Sequence, residues 1–411
     1  MFKAYDVRGV YGSEVTEQNF YRLGIAENSV AKKIVLGMDY REKNAPLANA
    51  FLSGYSGETN YLGVMPTPVT AFFAREIEGV SLTASHNPPE YNGAKFLKKQ
   101  RCYYTSELDQ LKKQYSKITA SHAGEFSDKL GKLEKKEISA YKDTLPRMGN
   151  AIYDLAGGAA CAVKELFPSR MFDAPDPRFE KHGAEPKKET LQILAGETVK
   201  RKIPGFAFDG DADRVVACDA GKTIDGGILA AFIAQEHYKK NDKILITIDF
   251  TNEVCEFIRD ELQMRASYSK IGDVHLLKAM EETRADFGAE RSGHYSFARH
   301  MPYADGIYTA AKLSGTKPGE MAEFASQFTA VTLKEDSYVK IDFEKLADEV
   351  IDEAENVETI DGVKIEFGDY CLLIRRSQTE PKIRINSEAK DMENAKEGMR
   401  KARELVQKAK V

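Results

Sequence analysis

What the 411-residue chain lacks narrows its chemistry before any motif is read. Paired cysteines are missing: Cys102, Cys161, Cys218, Cys255 and Cys371 lie far apart, with no C-x-x-C. That argues against a disulfide framework and against zinc held by cysteine pairs, and favours a reducing cytoplasm. No run approaches the about 20 apolar residues of a membrane helix; the most apolar short stretch is Gly227-Ile-Leu-Ala-Ala-Phe-Ile-Ala234. An N-terminal signal pattern is also missing, so a cytoplasmic location and no membrane partner are expected. Strong charge of either sign is absent too. Lys and Arg number 59 and Asp and Glu 64, a formal net charge of −5 that speaks against nucleic acid as the main partner. An apolar content of 42% excludes disorder as the main state.

The length suggests roughly three or four domains. Segment 1–133 alternates strands at 34–39, 60–64 and 80–83 with helices at 41–55 and 68–76. Such alternation implies a parallel sheet with functional loops at the strands' C-terminal ends. A charged helical segment, 107–142, leads into segment 134–227, with strands at 151–156, 205–208 and 215–218, a helix after Gly157-Gly158 and another at 188–201. Segment 228–330 repeats the theme: helices 228–239, 252–263, 274–284 and 305–314, strands 243–249, 266–269 and 286–289. In segment 331–411 short strands at 338–341, 363–367, 371–374 and 382–385 surround two helices. The last helix, 391–410, carries Met392, Ala395, Met399, Ala402, Leu405 and Val406 at helical spacing, a core stripe. The expectation is three related α/β domains with mixed sheets and a C-terminal α+β domain, hung on a single chain crossing and mobile.

Four stretches could carry chemistry. Thr83-Ala-Ser-His-Asn-Pro-Pro-Glu-Tyr-Asn-Gly-Ala-Lys-Phe96 follows a strand; its two prolines fix φ, and Asn92-Gly93 invites a turn. Ser85 and His86 therefore sit on a stiff loop, the way a chain displays a nucleophile, although Ser, His and Asn also make ordinary turns. Asp209-x-Asp211-x-Asp213 places three carboxylates at alternate positions. They repel one another unless a cation sits between them, which points to Mg²⁺; the bland reading is a solvated acidic turn. An EF-hand fails, because Arg214 and Ala220 occupy its glycine and glutamate places, and Gly221-Lys222-Thr223 fails as a P-loop because Val216 replaces the upstream glycine. Glu290, Ser292 and His294 alternate, so one face could read sugar hydroxyls, or an edge strand could simply have a polar face. Leu373-Ile-Arg-Arg-Ser-Gln-Thr-Glu-Pro-Lys-Ile-Arg384 gathers Arg375, Arg376, Lys382 and Arg384 about a turn, either a phosphate pocket or a charged hairpin.

Taken together, in order and over most of the chain, these stretches resemble the α-D-phosphohexomutase family, the phosphomannomutases, phosphoglucomutases and phosphoglucosamine mutases. The family pattern T-x-S-H-N-P-x-x-Y-N-G-x-K, D-G-D-A-D-R, G-E-x-S-G-H and R-x-S-x-T-E-P is met at 83–95, 209–214, 289–294 and 375–381. The resemblance implies four domains around a central cleft, with boundaries at 1–133, 134–227, 228–330 and 331–411. It implies that Ser85 is the phosphorylated nucleophile, its phosphate joining Asp209, Asp211 and Asp213 on Mg²⁺. It makes His86 and Lys95 proton-transfer groups, and Arg8 and Arg214 neutralisers of phosphoryl charge. Tyr5, Lys270, Glu290, Ser292 and His294 face the sugar, and Arg375, Ser377, Gln378 and Thr379 hold the phosphate that is not transferred. The implied reaction interconverts hexose 6-phosphate and hexose 1-phosphate, of mannose or glucose, through a 1,6-bisphosphate that turns over in the site. The partner is then a small sugar phosphate, and the sequence leaves monomer and dimer equally open.

Departures from the pattern touch substrate choice. Ala84 and Ala289 replace glycines, and Gln378 stands where Gly or Asn is usual. Asp273 stands where phosphomannomutases carry His and leans toward the glucosamine branch, whereas 294–297 and 379–389 resemble the mannose/glucose branch. The region 157–205 is short, and His182-Gly-Ala-Glu-Pro186 stands in place of an Asn-rich loop. A phosphoglucosamine mutase is therefore the alternative. A Mg²⁺-dependent phosphatase would not need the second phosphate anchor at 375–379, and a silent binding protein would not need Ser85, Lys95 and three aspartates.

Overall fold

The computed structural model describes residues 1–122, 124–377 and 381–411. It comprises two compact units, residues 1–226 with 292–322 and residues 227–291 with 323–411.

In the larger unit the first sheet runs Val7–Val10, Tyr91–Lys98, Glu78–Leu82, Lys33–Met38, Glu58–Val64, with Arg101–Cys102 paired to Tyr91–Lys98. Lys33–Met38 pairs in parallel with both Glu78–Leu82 and Glu58–Val64, as the alternation implied. Tyr91–Lys98 runs antiparallel, because residues 83–90 reverse the chain directly and no crossover helix intervenes. Helices Glu17–Glu27 and Asn44–Gly54 cover one face and bury Phe20, Leu23, Leu47 and Phe51 against Leu36 and Val80. The expected helix at 107–142 is instead Thr105–Ser116, a single turn Leu130–Lys132 and the short Ser139–Lys142. Only Leu108 and Leu111 of Thr105–Ser116 are buried, and beyond it the apolar spacing that would hold a helix against the core stops.

The second sheet is Lys222–Thr223, Val215–Asp219, Gly205–Phe208, Ile152–Asp154, Arg170–Met171. Val215 pairs with Phe208, so residues 209–214 form the tip of an antiparallel hairpin. The helix expected after Gly158 is a 3₁₀ run, Ala159–Leu166.

In the smaller unit, Lys243–Thr247 pairs in parallel with Arg265–Ser269 and Phe287–Ala289. The expected helix 252–263 is α only over Asn252–Glu256 and then widens into a π turn, Phe257–Glu261. The C-terminal sheet is antiparallel: Val331–Ser337, Ile383–Ala389, Tyr370–Arg376, Val363–Phe367, Asn356–Glu358. The strand expected at 338–341 is not there. The edge strand is Val331–Ser337, whose half-exposed polar residues hide the pattern, and Tyr338 beyond it is 73% exposed. Helix Met392–Lys408 buries Ala395, Met399, Ala402, Leu405 and Val406 on that sheet, but Met392, its first residue, lies outside the stripe at 46% exposure. Among the described residues no helix is long and apolar enough to cross a membrane, and the five cysteines are buried and form no disulfide.

Candidate active site

Strand ends of two sheets in the larger unit build a cluster of functional side chains. Glu78–Leu82 delivers Ser85 on the reversing loop, in the left-handed region at φ +49°, and Tyr91–Lys98 returns Lys95 to the same end. The hairpin tip after Gly205–Phe208 delivers Asp209, Asp211 and Asp213, whose alternation turns all three carboxylates one way. Gly210 permits the approach: a Cβ there would lie 2.5 Å from the Ser85 carbonyl oxygen.

Ser85 Oγ donates to Asp209 Oδ2 at 2.8 Å and lies 3.3 Å from His86 Nδ1. Lys95 Nζ reaches Asp211 Oδ2 at 3.0 Å and Asp213 Oδ2 at 2.5 Å. Thr67, at the start of helix Thr67–Phe73, donates its hydroxyl to Asp211 Oδ2 at 2.7 Å, and Tyr303 donates to Asp213 Oδ2 at 3.2 Å. His294 Nε2 stands 3.2 Å from Asp213 Oδ1 and 3.3 Å from Arg214 Nε, and its Nδ1 is 3.3 Å from Ser292 Oγ. Arg8 joins the loop through Asn87 Oδ1 and pairs with Asp6. Tyr5 lies half-buried just before strand Val7–Val10. Arg214, with burial second, pushes the His86 imidazole far below its ordinary pKa, so it is neutral.

The three aspartates are wholly buried, and their carboxylate oxygens lie within 4.8 Å of one another. Burial, then Asp211 and Asp213, push the Asp209 carboxyl well above the usual carboxylate range. Burial acts the same way on Asp213, but Lys95 and His294 overcome it and hold that group well below the range. Asp211 Oδ1 is buried with no hydrogen-bond partner among the described residues. Three hard, buried oxygen donors with an unfilled acceptor fit a divalent cation.

In the smaller unit, Gly272 N–H donates to Glu290 Oε1 at 2.6 Å and Ile271 N–H to Asp361 Oδ2 at 3.2 Å. The same Asp361 oxygen lies 3.7 Å from Arg375 Nη1, so one carboxylate ties Arg375 to the loop that carries Lys270. Arg375 is buried and Lys270 exposed; Ser377 N–H donates to the Lys382 carbonyl at 2.8 Å. Gln378 and Thr379 lie outside the described residues. The alternating face expected from Glu290, Ser292 and His294 does not form as a strand. Strand Phe287–Ala289 ends before it and Tyr295–Phe297 begins after it, with a turn at Gly293, φ +102°. Sequence reasoning missed Thr67, Asp361, Asp39 and Arg41. Asp39 and Arg41 follow the first core strand at its C-terminal end, a position that was itself a signal.

Residues 1–122 match the family described as phosphoglucomutase/phosphomannomutase, alpha/beta/alpha domain I, and residues 225–317 match its alpha/beta/alpha domain III. The chain is 30% identical to a phosphoglucosamine mutase of Methanocaldococcus jannaschii, over 100% of this chain and 99% of that one. It is also 30% identical to a phosphomannomutase of the same organism, over 99% and 98% of the two chains. A solved phosphoglucomutase/phosphomannomutase family protein of Burkholderia thailandensis shares the fold, with a TM-score of 0.82 and 24% identity over 99% of this chain and 97% of that one.

Proposed function

The chain belongs to the α-D-phosphohexomutase family, isomerases that move a phosphoryl group within a hexose phosphate, and on that premise we propose that it interconverts the 6- and 1-phosphates of mannose or glucose. One observation carries the reading: the Ser85 hydroxyl is bonded to Asp209 inside a buried cluster of three carboxylates and Lys95. A buried serine hydroxyl among that many carboxylates suits a phosphoryl group whose charge would be met by a cation held on the same carboxylates. The division at 133, 227 and 330 belongs to the same proposal, supported by the four sheets falling one to each segment.

Phospho-Ser85 gives its phosphoryl group to the free hydroxyl of the sugar phosphate and, after the bisphosphate turns over, takes the other one back. Asp209, Asp211, Asp213 and the Ser85 phosphate would hold Mg²⁺, which neutralises phosphoryl charge. The proton released by the attacked sugar hydroxyl ends on Ser85 Oγ as that oxygen loses its phosphoryl group, a transfer assisted by Lys95 and by His86, whose Nδ1 lies 3.3 Å from the oxygen. Lys95 and Arg214 keep positive charge on the transfer side, and Arg8 fixes the loop at Asn87. Glu290, Ser292, His294, Lys270 and Tyr5 orient the sugar; Arg375, Ser377, Gln378 and Thr379 grip the phosphate that stays. Glucose or mannose 1,6-bisphosphate, at catalytic concentration, would load Ser85.

Glucosamine 6-phosphate is the second reading, favoured by the relative named for that substrate and by Asp273 at the start of helix Asp273–Thr283. A coupled assay of glucose, mannose and glucosamine phosphates with catalytic 1,6-bisphosphate and Mg²⁺ decides between them. Phosphate release without isomerisation would overturn the mutase reading for all three.

A further inference from the structure

Arg41 lies outside every motif above, yet both terminal nitrogens of its guanidinium are spent on the Ser85 loop. Nη1 donates to the Pro88 and Tyr91 carbonyls at 2.7 and 2.9 Å, and Nη2 to those of Ser85 and Asn87 at 2.8 and 2.6 Å. The side chain is fully buried beside an equally buried Asp39, Nε to Oδ2 3.3 Å. Phe179, from the shortened stretch of the second segment, places its ring 5.2 Å from the guanidinium carbon. Pro88 and Pro89 carry no amide hydrogen; within the loop Asn87 N–H donates to the Ala84 carbonyl and Tyr91 N–H to that of Pro88, and Arg41 brings donors to four of its carbonyls from outside.

Asp39 holds the other side of the same peptide. Its Oδ1 accepts from Arg41 N–H at 2.9 Å and Asn44 Nδ2 at 2.5 Å, and its Oδ2 from the Thr83 hydroxyl at 2.7 Å. Thr83 Oγ1 in turn accepts from Ser85 N–H at 2.8 Å. The amide and the carbonyl of Ser85 are thus both fixed, one through Thr83 and one through Arg41, in a backbone conformation that a serine rarely adopts. We infer that Arg41, braced by Asp39, is a positioning residue that sets the Ser85 Oγ for in-line phosphoryl transfer; this rests on the proposed role of Ser85. Lysine cannot replace it, because one ammonium cannot serve four carbonyls in a planar fork.

The test compares wild type, Arg41→Lys and Thr83→Val in two measurements. One is the rate at which glucose 1,6-bisphosphate adds a phosphoryl group to Ser85, read by intact mass; the other is steady-state mutase kinetics. Both variants should lose about tenfold to a hundredfold in phosphorylation rate and kcat, with KM for the sugar phosphate nearly unchanged. Their combined effect should be less than additive, since both act on the Ser85 peptide. Guanidinium ion should partly restore Arg41→Gly but not Thr83→Val. A folded Arg41→Lys with the wild-type phosphorylation rate, or one whose KM rises while kcat holds, overturns the inference. If Arg41→Lys does not fold, Thr83→Val decides: a wild-type rate there overturns it equally. A wild-type protein that never accepts a phosphoryl group instead sinks the role of Ser85 itself.

Discussion

Lys95 and Asp213 form a buried ion pair, Nζ to Oδ2 2.5 Å, that joins a strand of the first sheet to the hairpin tip of the second. The same ammonium also serves Asp211, so one positive charge stands against three carboxylates wholly out of water. Beside it, the Arg214 backbone N–H donates to Asp209 Oδ1, and His294, 3.3 Å from Arg214 Nε, stands 3.2 Å from Asp213 Oδ1. That imbalance is why the cluster calls for a divalent cation.

Replacing Lys95 with methionine keeps the stem but leaves Asp211 and Asp213 facing each other without their cation. The loss should cost about 3–5 kcal/mol in the absence of metal. Mg²⁺ should recover part of it, so the Mg²⁺-induced rise in melting temperature should be larger in Lys95→Met than in wild type. Equal rises in the two proteins would show that Lys95 and the metal do not share these oxygens. Turnover should fall at least as far as stability does.

Arg375→Ala should weaken substrate binding. A charge-assisted hydrogen bond to phosphate contributes about 1.5–3 kcal/mol, roughly a tenfold to hundredfold rise in KM. Asp361 already orients the guanidinium, so little reorganisation offsets the gain on binding. Steady-state kinetics with glucose 6-phosphate read the effect. An unchanged KM would remove Arg375 from the phosphate anchor.

How much of this was legible in the sequence varies with the kind of evidence each residue left. Strand alternation put Ser85 at the end of a strand, but that Ser85, the three aspartates and Lys95 belong together was implied only by the family resemblance, and they lie within hydrogen-bond reach of one another. The alternation of Glu290, Ser292 and His294 suggested an extended face, but alternation along five residues fits a turn as well, and only Gly293 marked the difference. The edge strand Val331–Ser337 was missed because its residues are half-exposed and mixed in polarity, leaving no buried face to read. Arg41 and Asp39 left only their place at the C-terminal end of strand Lys33–Met38 as a signal, and no motif: their partners are backbone carbonyls and a hydroxyl 44 to 50 residues away.

Glu27 gives the pH prediction. It ends helix Glu17–Glu27 fully buried, with Tyr103 OH 3.5 Å from Oε1 and, among the described residues, no hydrogen-bond partner at Oε2. Burial, and then Glu78, push its carboxyl up to about 8. The unfolded chain titrates near about 4.3. Between those values the folded state holds the proton and the unfolded state does not, so the contribution to stability is complete below about 4.3 and is lost as pH rises through about 8. The slope is at most about 1.4 kcal/mol per pH unit. Chemical denaturation at several pH values should show wild type weakening from pH 5 to 8 relative to Glu27→Gln. Parallel curves for the two proteins would mean that Glu27 is ionised in the fold.

Gly210→Ala separates the geometry of the nucleophile from its chemistry. The added methyl group would sit 2.5 Å from the Ser85 carbonyl oxygen, a contact that must be relieved by moving one backbone or the other. The hairpin is fixed by its pairing, Val215 to Phe208, and by the Gly210 amide donating to the Ala184 carbonyl at 3.0 Å. The Ser85 carbonyl is held by Arg41, but on a loop rather than in a sheet, so the loop should give way. Overpacking of this kind costs about 1–3 kcal/mol, which a chain of this size should survive folded. Its effect on turnover should be larger than its effect on melting, because a shift of about 1 Å at the attacking oxygen can cost a hundredfold in rate. Gly210→Ala that melts a few degrees early yet turns over at the wild-type rate would show that Ser85 tolerates the displacement, and that the close approach of the two loops serves packing alone.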